Sequence, residues 1–383
     1  MSSLRGNAAL HFLDRYAGIP ALAFVSLFRH KRSPPPSRRT IGLLKTVAMG
    51  DTVLLSAIVA DLRAAFPESS ILFFCGESNW EVARMIPGLD RVIPAPASNP
   101  FAAVRAIRSR DLDVLLDFGH WPRWDAFLAA ISRARFTVGF DTPGQYRGRA
   151  YDMAVPHSVD VHALGNYRTL LHAIGVATHH LPALIAPPPI QESPRAYAVF
   201  HLWPGGTRKD VKRWPVENWL RLAGDFARWG FDVVLTGARP DQSANDAFIA
   251  LTGRTWRGRM RNAGGAKLPL TAAILANARV VVSVDTGVMH MASALGAPLV
   301  ALHGPTSARR WGPFGERAVA IEATLPGCGY IHFGWERASG RPACMESIRY
   351  ETVRDACRAL LDQNPRSRSV PRDPEGFPAG VKD

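Results

Sequence analysis

No two of the chain's four cysteines, Cys75, Cys328, Cys344 and Cys357, stand in Cys-x-x-Cys spacing. That argues against a structural zinc site and a disulfide framework, and points to a reducing cytoplasm. Cys75 falls in the apolar run 71–75 and reads as a small buried hydrophobe. The apolar run 18–28 is about 11 residues, too short for a bilayer-spanning helix of about 20. No Gly-x-Gly-x-x-Gly follows the first apolar strand, which disfavours a nicotinamide or flavin cofactor. No Asp-x-Asp pair is placed as one chelating a divalent cation around a diphosphate would be, so no metal is called for. Zinc-finger spacing, an RNP-type aromatic strand and a helix-turn-helix pattern are all missing, so nucleic acid is not an expected partner. Acidic residues are also short, 32 against 46 Lys+Arg, for a formal charge of +14. Such a surface attracts polyanions or an anionic membrane.

What is present is ample core. The hydrophobic fraction is 47% over 383 residues, enough for two α/β halves. Residues 1–40 form a basic and apolar segment ending in a Pro-rich linker. Its helix, followed by His30-Lys31-Arg32, reads either as an interfacial membrane anchor or as a helix docked on the protein itself. An N-terminal domain spans 41–185, with strands at 41–47, 71–75, 91–93, 113–118 and 136–140, a helix over 52–66 and another within 157–176. The Pro-rich stretch 186–194 is the expected linker. A C-terminal domain spans 195–362, with strands at 197–202, 231–237 and 280–284, helices at 216–229, 241–251 and 270–278, and a last helix at 350–361. A Pro/Arg-rich tail over 363–383 is expected to be disordered. Strands alternating with helices predict parallel sheets covered on both faces, although the two halves share no sequence repeat.

The densest pattern runs from Val280 to Thr306. The β-branched run Val280-Val281-Val282-Ser283-Val284 ends in Asp285-Thr286-Gly287, a small-residue helix continues to Gly296, and a second apolar run closes on Gly304-Pro305-Thr306. This is a strand–turn–helix–strand unit. Its helix starts at the carboxyl end of a buried strand, where open α/β sheets bind ligands, and free N–H groups there suit a phosphate.

Asp-Thr-Gly-x-x-His-x-Ala-x-Ala-x-Gly-x-Pro over 285–298, then Gly304-Pro305-Thr306 and Trp311-Gly312-Pro313-Phe314-Gly315, resembles the donor-site signature of the lipopolysaccharide heptosyltransferases, glycosyltransferase family 9. The pieces follow the family's order from about residue 41 to about residue 348. The resemblance implies the GT-B fold, two Rossmann-like domains facing across a cleft, with the acceptor on the first and the nucleotide sugar on the second. It implies transfer of a heptose from ADP-heptose to a lipopolysaccharide core or related glycolipid, at the inner face of the cytoplasmic membrane.

Inverting transfer needs a base for the acceptor hydroxyl, and Gly50-Asp51 stands where the family places it; an N-cap is the plainer use of such an Asp. Thr207 and Lys212 stand in the loop that meets the departing diphosphate in the family, beside the reading of a basic surface loop. Asp285 corresponds to the residue that holds sugar hydroxyls, and Thr286 and Gly287 to the amides on the pyrophosphate. His290 is either a donor contact or a packed core histidine. Thr306 ends a turn that is either a donor contact or structural. Cys328, His332 and Cys344 read as a remnant of a Cys-rich segment with packed thiols. Three readings stand beside the heptosyltransferase: a family member using another nucleotide sugar, a nucleotide-sugar 2-epimerase on the same fold, and a non-catalytic polyanion binder.

Overall fold

A computed structural model describes residues 12, 14–28, 30–185, 188, 195–206, 208–333, 336 and 342–363. The expected linker over 186–194, but for residue 188, and the expected tail from residue 364 lie outside the described residues, as does Thr207.

Strands β1 (Thr40–Lys45), β2 (Ser70–Cys75), β3 (Arg91–Pro94), β4 (Leu112–Asp117), β5 (Ala134–Asp141) and β6 (Met153–Pro156) form one parallel sheet in the order β3-β2-β1-β4-β5-β6. Strands β7 (Tyr197–His201), β8 (Asp232–Leu235), β9 (Met260–Asn262), β10 (Val280–Val284), β11 (Leu299–His303) and β12 (Ala318–Glu322) form a second, ordered β12-β11-β10-β7-β8-β9. Counted from its own first strand, each sheet has the same doubly-wound order. The central strands are apolar almost end to end, as strands covered on both faces must be; all five residues of β10 are buried. Strands β6, β9 and β12 were not among the expected elements. All three are sheet edges, short or half-exposed, and carry no continuous apolar signal.

The helices that matter for the site are α1 (Gly18–Leu27), α2 (Met49–Ala65), α3 (Arg123–Ile131), α4 (Ala163–Ala173), α5 (Val216–Arg228), α6 (Leu268–Ala276), α7 (Gly287–Ala294) and α8 (Tyr350–Asp362). Helix α2 buries the consecutive run Asp51 to Val59, because the first sheet covers one side and α7 of the second half covers another. One apolar core therefore runs from Leu54 and Ile58 into Val288, Met289 and Ala292. The α2 helix begins at Met49, three residues earlier than expected, so Asp51 stands inside its first turn.

One expectation needs correction. Cys328 and Cys344 are joined as a disulfide, 16 residues apart, where spacing alone had argued for separate thiols. Their Cα atoms lie 5.8 Å apart, a closeness that tertiary structure creates and local spacing does not record. Cys75 and Cys357 are free and buried. The N-terminal helix α1 docks on α3, burying Leu22. Asp14, just before it, accepts hydrogen bonds from the backbone N–H groups of Arg123 (2.8 Å) and Trp124 (3.1 Å) and pairs with the Arg123 guanidinium at 3.1 Å. It thus caps the start of α3 from a distant part of the chain, a start where Pro122 offers no side-chain acceptor. Asp14→Ala is expected to lower stability by about 1–3 kcal/mol, read as the urea midpoint. An unchanged midpoint would show that this tether carries no weight.

Candidate active site

In a doubly-wound sheet the chain leaves the two central strands in opposite directions, and the crevice at their carboxyl ends receives the ligand. Here those strands are β1 and β4 in one sheet and β7 and β10 in the other. The segments leaving β1, β7 and β10 carry Asp51, Lys212 and Asp285 respectively. They meet in a cleft of ≈550 Å³ between the halves, within the size of small-molecule sites. Asp51, Lys212, Asp285, Thr286, Gly287, His290 and Thr306 all line it.

On the first wall, Ala48 adopts φ 77° ahead of α2. A non-glycine residue there costs on the order of 1–3 kcal/mol, and it turns the chain sharply enough to point Asp51 into the cleft. Asp51 is buried 3.1 Å from the Lys45 Nζ, which also donates to the carbonyl of Phe118 at 3.2 Å. Asp51 is thus not an N-cap. The start of α2 presses on the start of α7: a Cβ on Gly50 would lie 2.7 Å from His290 Cδ2 and 3.4 Å from Gly287 Cα. His290 packs in this seam. Two helix N-termini consequently open into one cleft, each with free N–H groups and a positive dipole end.

On the second wall, Thr286 is the N-cap of α7, its hydroxyl accepting from the Met289 N–H at 3.4 Å, which leaves Asp285 for other work. Asp285 pairs with Lys212 Nζ at 3.3 Å. Burial works against its ionisation, yet the Lys212 ammonium, with His303, His290 and the Thr306 hydroxyl around it, holds the carboxyl well below the usual carboxylate range. An ammonium has three N–H donors, so Lys212 can hold Asp285 and still face an anion.

Sequence reasoning missed several groups. Lys45 reads only as the end of a buried strand, yet its ammonium fixes Asp51. His303, fully buried at the end of β11, lies between Asp285 and Glu322, and burial keeps it neutral. Beneath the first wall, Asp117 accepts from Arg147 (2.7 Å) and Tyr151 (2.6 Å), and Gly119 N–H closes on it at 2.7 Å. None of these carries a local motif. The chain does contain one Asp-x-Asp triplet, Asp111-Leu112-Asp113, but it stands at the amino end of β4, away from the cleft, where Asp113 accepts from the Arg39 and Thr40 N–H groups. Among the described residues no group of three His, Cys, Asp or Glu side chains is arranged to hold a metal ion.

A family model described as glycosyltransferase family 9 (heptosyltransferase) matches residues 101–328, more than half of the chain. Lipopolysaccharide heptosyltransferase 2 of Escherichia coli (strain K12) is 32% identical over 161 residues, 42% of this chain and 46% of that protein, so the match spans about half of that relative. Lipopolysaccharide heptosyltransferase 1 of Pseudomonas aeruginosa is 26% identical over 316 residues, 74% of this chain and 84% of that protein. The structure of E. coli ADP-heptose lipopolysaccharide heptosyltransferase II matches with a TM-score of 0.70 at 21% identity, covering 85% of this chain and 99% of that one. The two six-stranded sheets are accordingly the GT-B fold.

Histidines around the cleft give a pH prediction. Burial pushes His201 down to about 4, and burial with the Arg310 charge pushes His157 down to about 3. Both stay neutral in the fold while the unfolded chain takes up a proton below about 6.5. Their stabilisation is complete above that value and is lost as pH falls toward 4, by on the order of 1.4 kcal/mol per pH unit for each. Denaturant midpoints between pH 7 and pH 4.5 should fall accordingly, and His201→Gln should flatten the slope by one proton. An equal slope in the variant would contradict the assignment.

Proposed function

The chain belongs to glycosyltransferase family 9 (heptosyltransferase), and from that premise we propose that it transfers a heptose from ADP-heptose to a lipopolysaccharide core or related glycolipid acceptor, with inversion at the anomeric carbon. The observation that carries this reading is the placement of Asp51 and the Lys212–Asp285 pair on opposite walls of one cleft. The acceptor hydroxyl attacks the anomeric carbon, the bond from that carbon to the diphosphate oxygen breaks, and Asp51 takes the hydroxyl proton. Negative charge then grows on the leaving diphosphate, where Lys212 and the N–H groups of Thr286, Gly287 and the α7 start are already oriented. Asp285 accepts from sugar hydroxyls. Thr207, five residues before Lys212 in sequence and outside the described residues, is kept as a second candidate for the diphosphate. ADP-heptose is favoured as donor because the E. coli protein of the same fold is named for it.

The same reading puts the protein on the inner face of the cytoplasmic membrane. Among the described residues no helix is long and apolar enough to cross a bilayer. Phe24 (64%) and Leu27 (78%) of α1 and Phe28 (71%) just after it are nevertheless exposed, three residues before Lys31 in sequence. An apolar face beside basic residues suits an anionic interface. Phe24→Ser with Leu27→Ser is expected to abolish co-sedimentation with phosphatidylglycerol vesicles while leaving the melting midpoint alone. Undiminished sedimentation would remove this face from the membrane contact.

The donor is tested by thermal stabilisation and isothermal titration with ADP, UDP and GDP, since a ligand of the folded state raises the midpoint according to its affinity. ADP should rank first, Asp285→Ala should keep ADP but lose the intact ADP-heptose, and Asp51→Asn should cut transfer about 10²–10⁴-fold with ADP affinity retained. A different winning nucleotide would overturn the donor, and undiminished transfer by Asp51→Asn would overturn the base.

A further inference from the structure

Beyond Thr306 the chain runs through Ser307 into the single helical turn Ala308–Trp311, which tucks Arg310 into the gap between the two halves. Arg310 is 2% exposed. Its Nη1 donates to the carbonyl of Ser158 in the first half at 3.0 Å, and its guanidinium lies over the rings of Trp311 (4.9 Å) and Phe333 (5.6 Å). Among the described residues, Nε and Nη2 reach no acceptor. Two unmet N–H groups on a buried guanidinium are expensive, and a merely structural arginine is rarely left so. The carboxylates of Asp51, Glu336 and Asp160 are near enough to favour its charge, which burial opposes. A second hollow of ≈270 Å³, bounded by Asp160, Thr306, Ser307, Arg309 and His332, opens at its side. Across the gap the stacked rings of His120 and His157 stand 5.3 Å apart, with His157 neutral.

We propose that Arg310 is a specificity residue of the acceptor side of the cleft, receiving an anionic group, phosphate or carboxylate, carried by the acceptor sugar beside its attacking hydroxyl. This rests on the transferase reading above. The acceptor side is favoured over the donor phosphates because Arg310 is anchored to the first half through Ser158 and answers to Asp51, whereas the donor cations and the α7 start lie on the second wall with Lys212. A guanidinium fork with two free N–H groups matches both oxyanions in a bidentate manner.

The test is isothermal titration of the full chain, saturated with ADP to fill the donor site, with glucose 6-phosphate, glucuronate and methyl glucoside. At least one anionic sugar should bind about 10-fold or more tightly than the neutral one, and the two anions separate a phosphate from a carboxylate preference. Arg310→Met should erase that preference, leave ADP affinity within about 2-fold, and leave the melting midpoint at or above wild type, because it removes an under-bonded buried cation while keeping the contact with Trp311. Arg310→Gln gives the same reading should the Met variant fail to fold. The proposal is overturned by equal binding of the three sugars, by a preference that survives in the variant, or by a variant that loses ADP instead, which would make Arg310 a donor contact. Wild type that fails to bind ADP at all sinks the transferase reading, and the sugar titrations are then read on the unliganded protein.

Discussion

The close approach of two helix starts is the constraint on which the rest depends. Gly50 N lies 3.2 Å from where a Cβ on Gly287 would be, and a Cβ on Gly50 would run into His290. Hydrogen at both positions lets α2 and α7 touch at their first turns without displacing His290 or Met49. That contact sets the separation of the two sheets, and every group in the cleft is counted from it: Asp51 one residue after Gly50, Asp285 two before Gly287, His290 in the seam. Because the core is continuous through this seam, from Ile58 to Met289, the walls are held by packing as well as by the chain joining them.

Beneath the seam the first half buries an unusual amount of charge. Lys45 with Asp51, and Asp117 with Arg147 and Tyr151, are paired inside the fold. Asp125 sits close to Asp117, and burial followed by that neighbouring carboxylate pushes it up to about 6. Desolvation makes such groups poor sources of stability compared with apolar side chains of the same size. Their use is positional. Lys45 is held by the Phe118 carbonyl at 3.2 Å, so it offers its ammonium to Asp51 from a fixed place.

How much of this was legible in the sequence follows from where each signal resides. The central strands, α2, α5, α8 and the Asp285-Thr286-Gly287 turn are written in contiguous residues, as apolar runs or as a helix start, and they were read within a few residues of their bounds. The edge strands β6, β9 and β12 were not, since a strand paired on one side needs no continuous apolar run. Lys45 and Arg310 lack a local signature because their meaning comes from partners far along the chain, Arg310 reaching Ser158 across 152 positions. The Cys328–Cys344 disulfide was hidden for the same reason. Asp51 had a competing use as a cap, and geometry decides against it: Ala48 holds the cap position of α2, as Thr286 holds that of α7.

The two halves share a topology and differ in charge, and the difference matches the proposed transfer. Glycosyl transfer with inversion removes a proton on one side of the sugar ring and leaves negative charge on the other. A carboxylate serves the first side and a cation with helix N–H groups the second. Each sheet provides the same crevice at its central strands, but the first fills it with Asp51 steadied by Lys45, and the second with Lys212 steadied by Asp285. These are the same pair of ions with their roles exchanged. In the first, both ions are buried and only the carboxylate lines the cleft; in the second, ammonium and carboxylate both line it. On the proposed transfer, one fold used twice presents a carboxylate where the new bond forms and a cation where the old bond breaks.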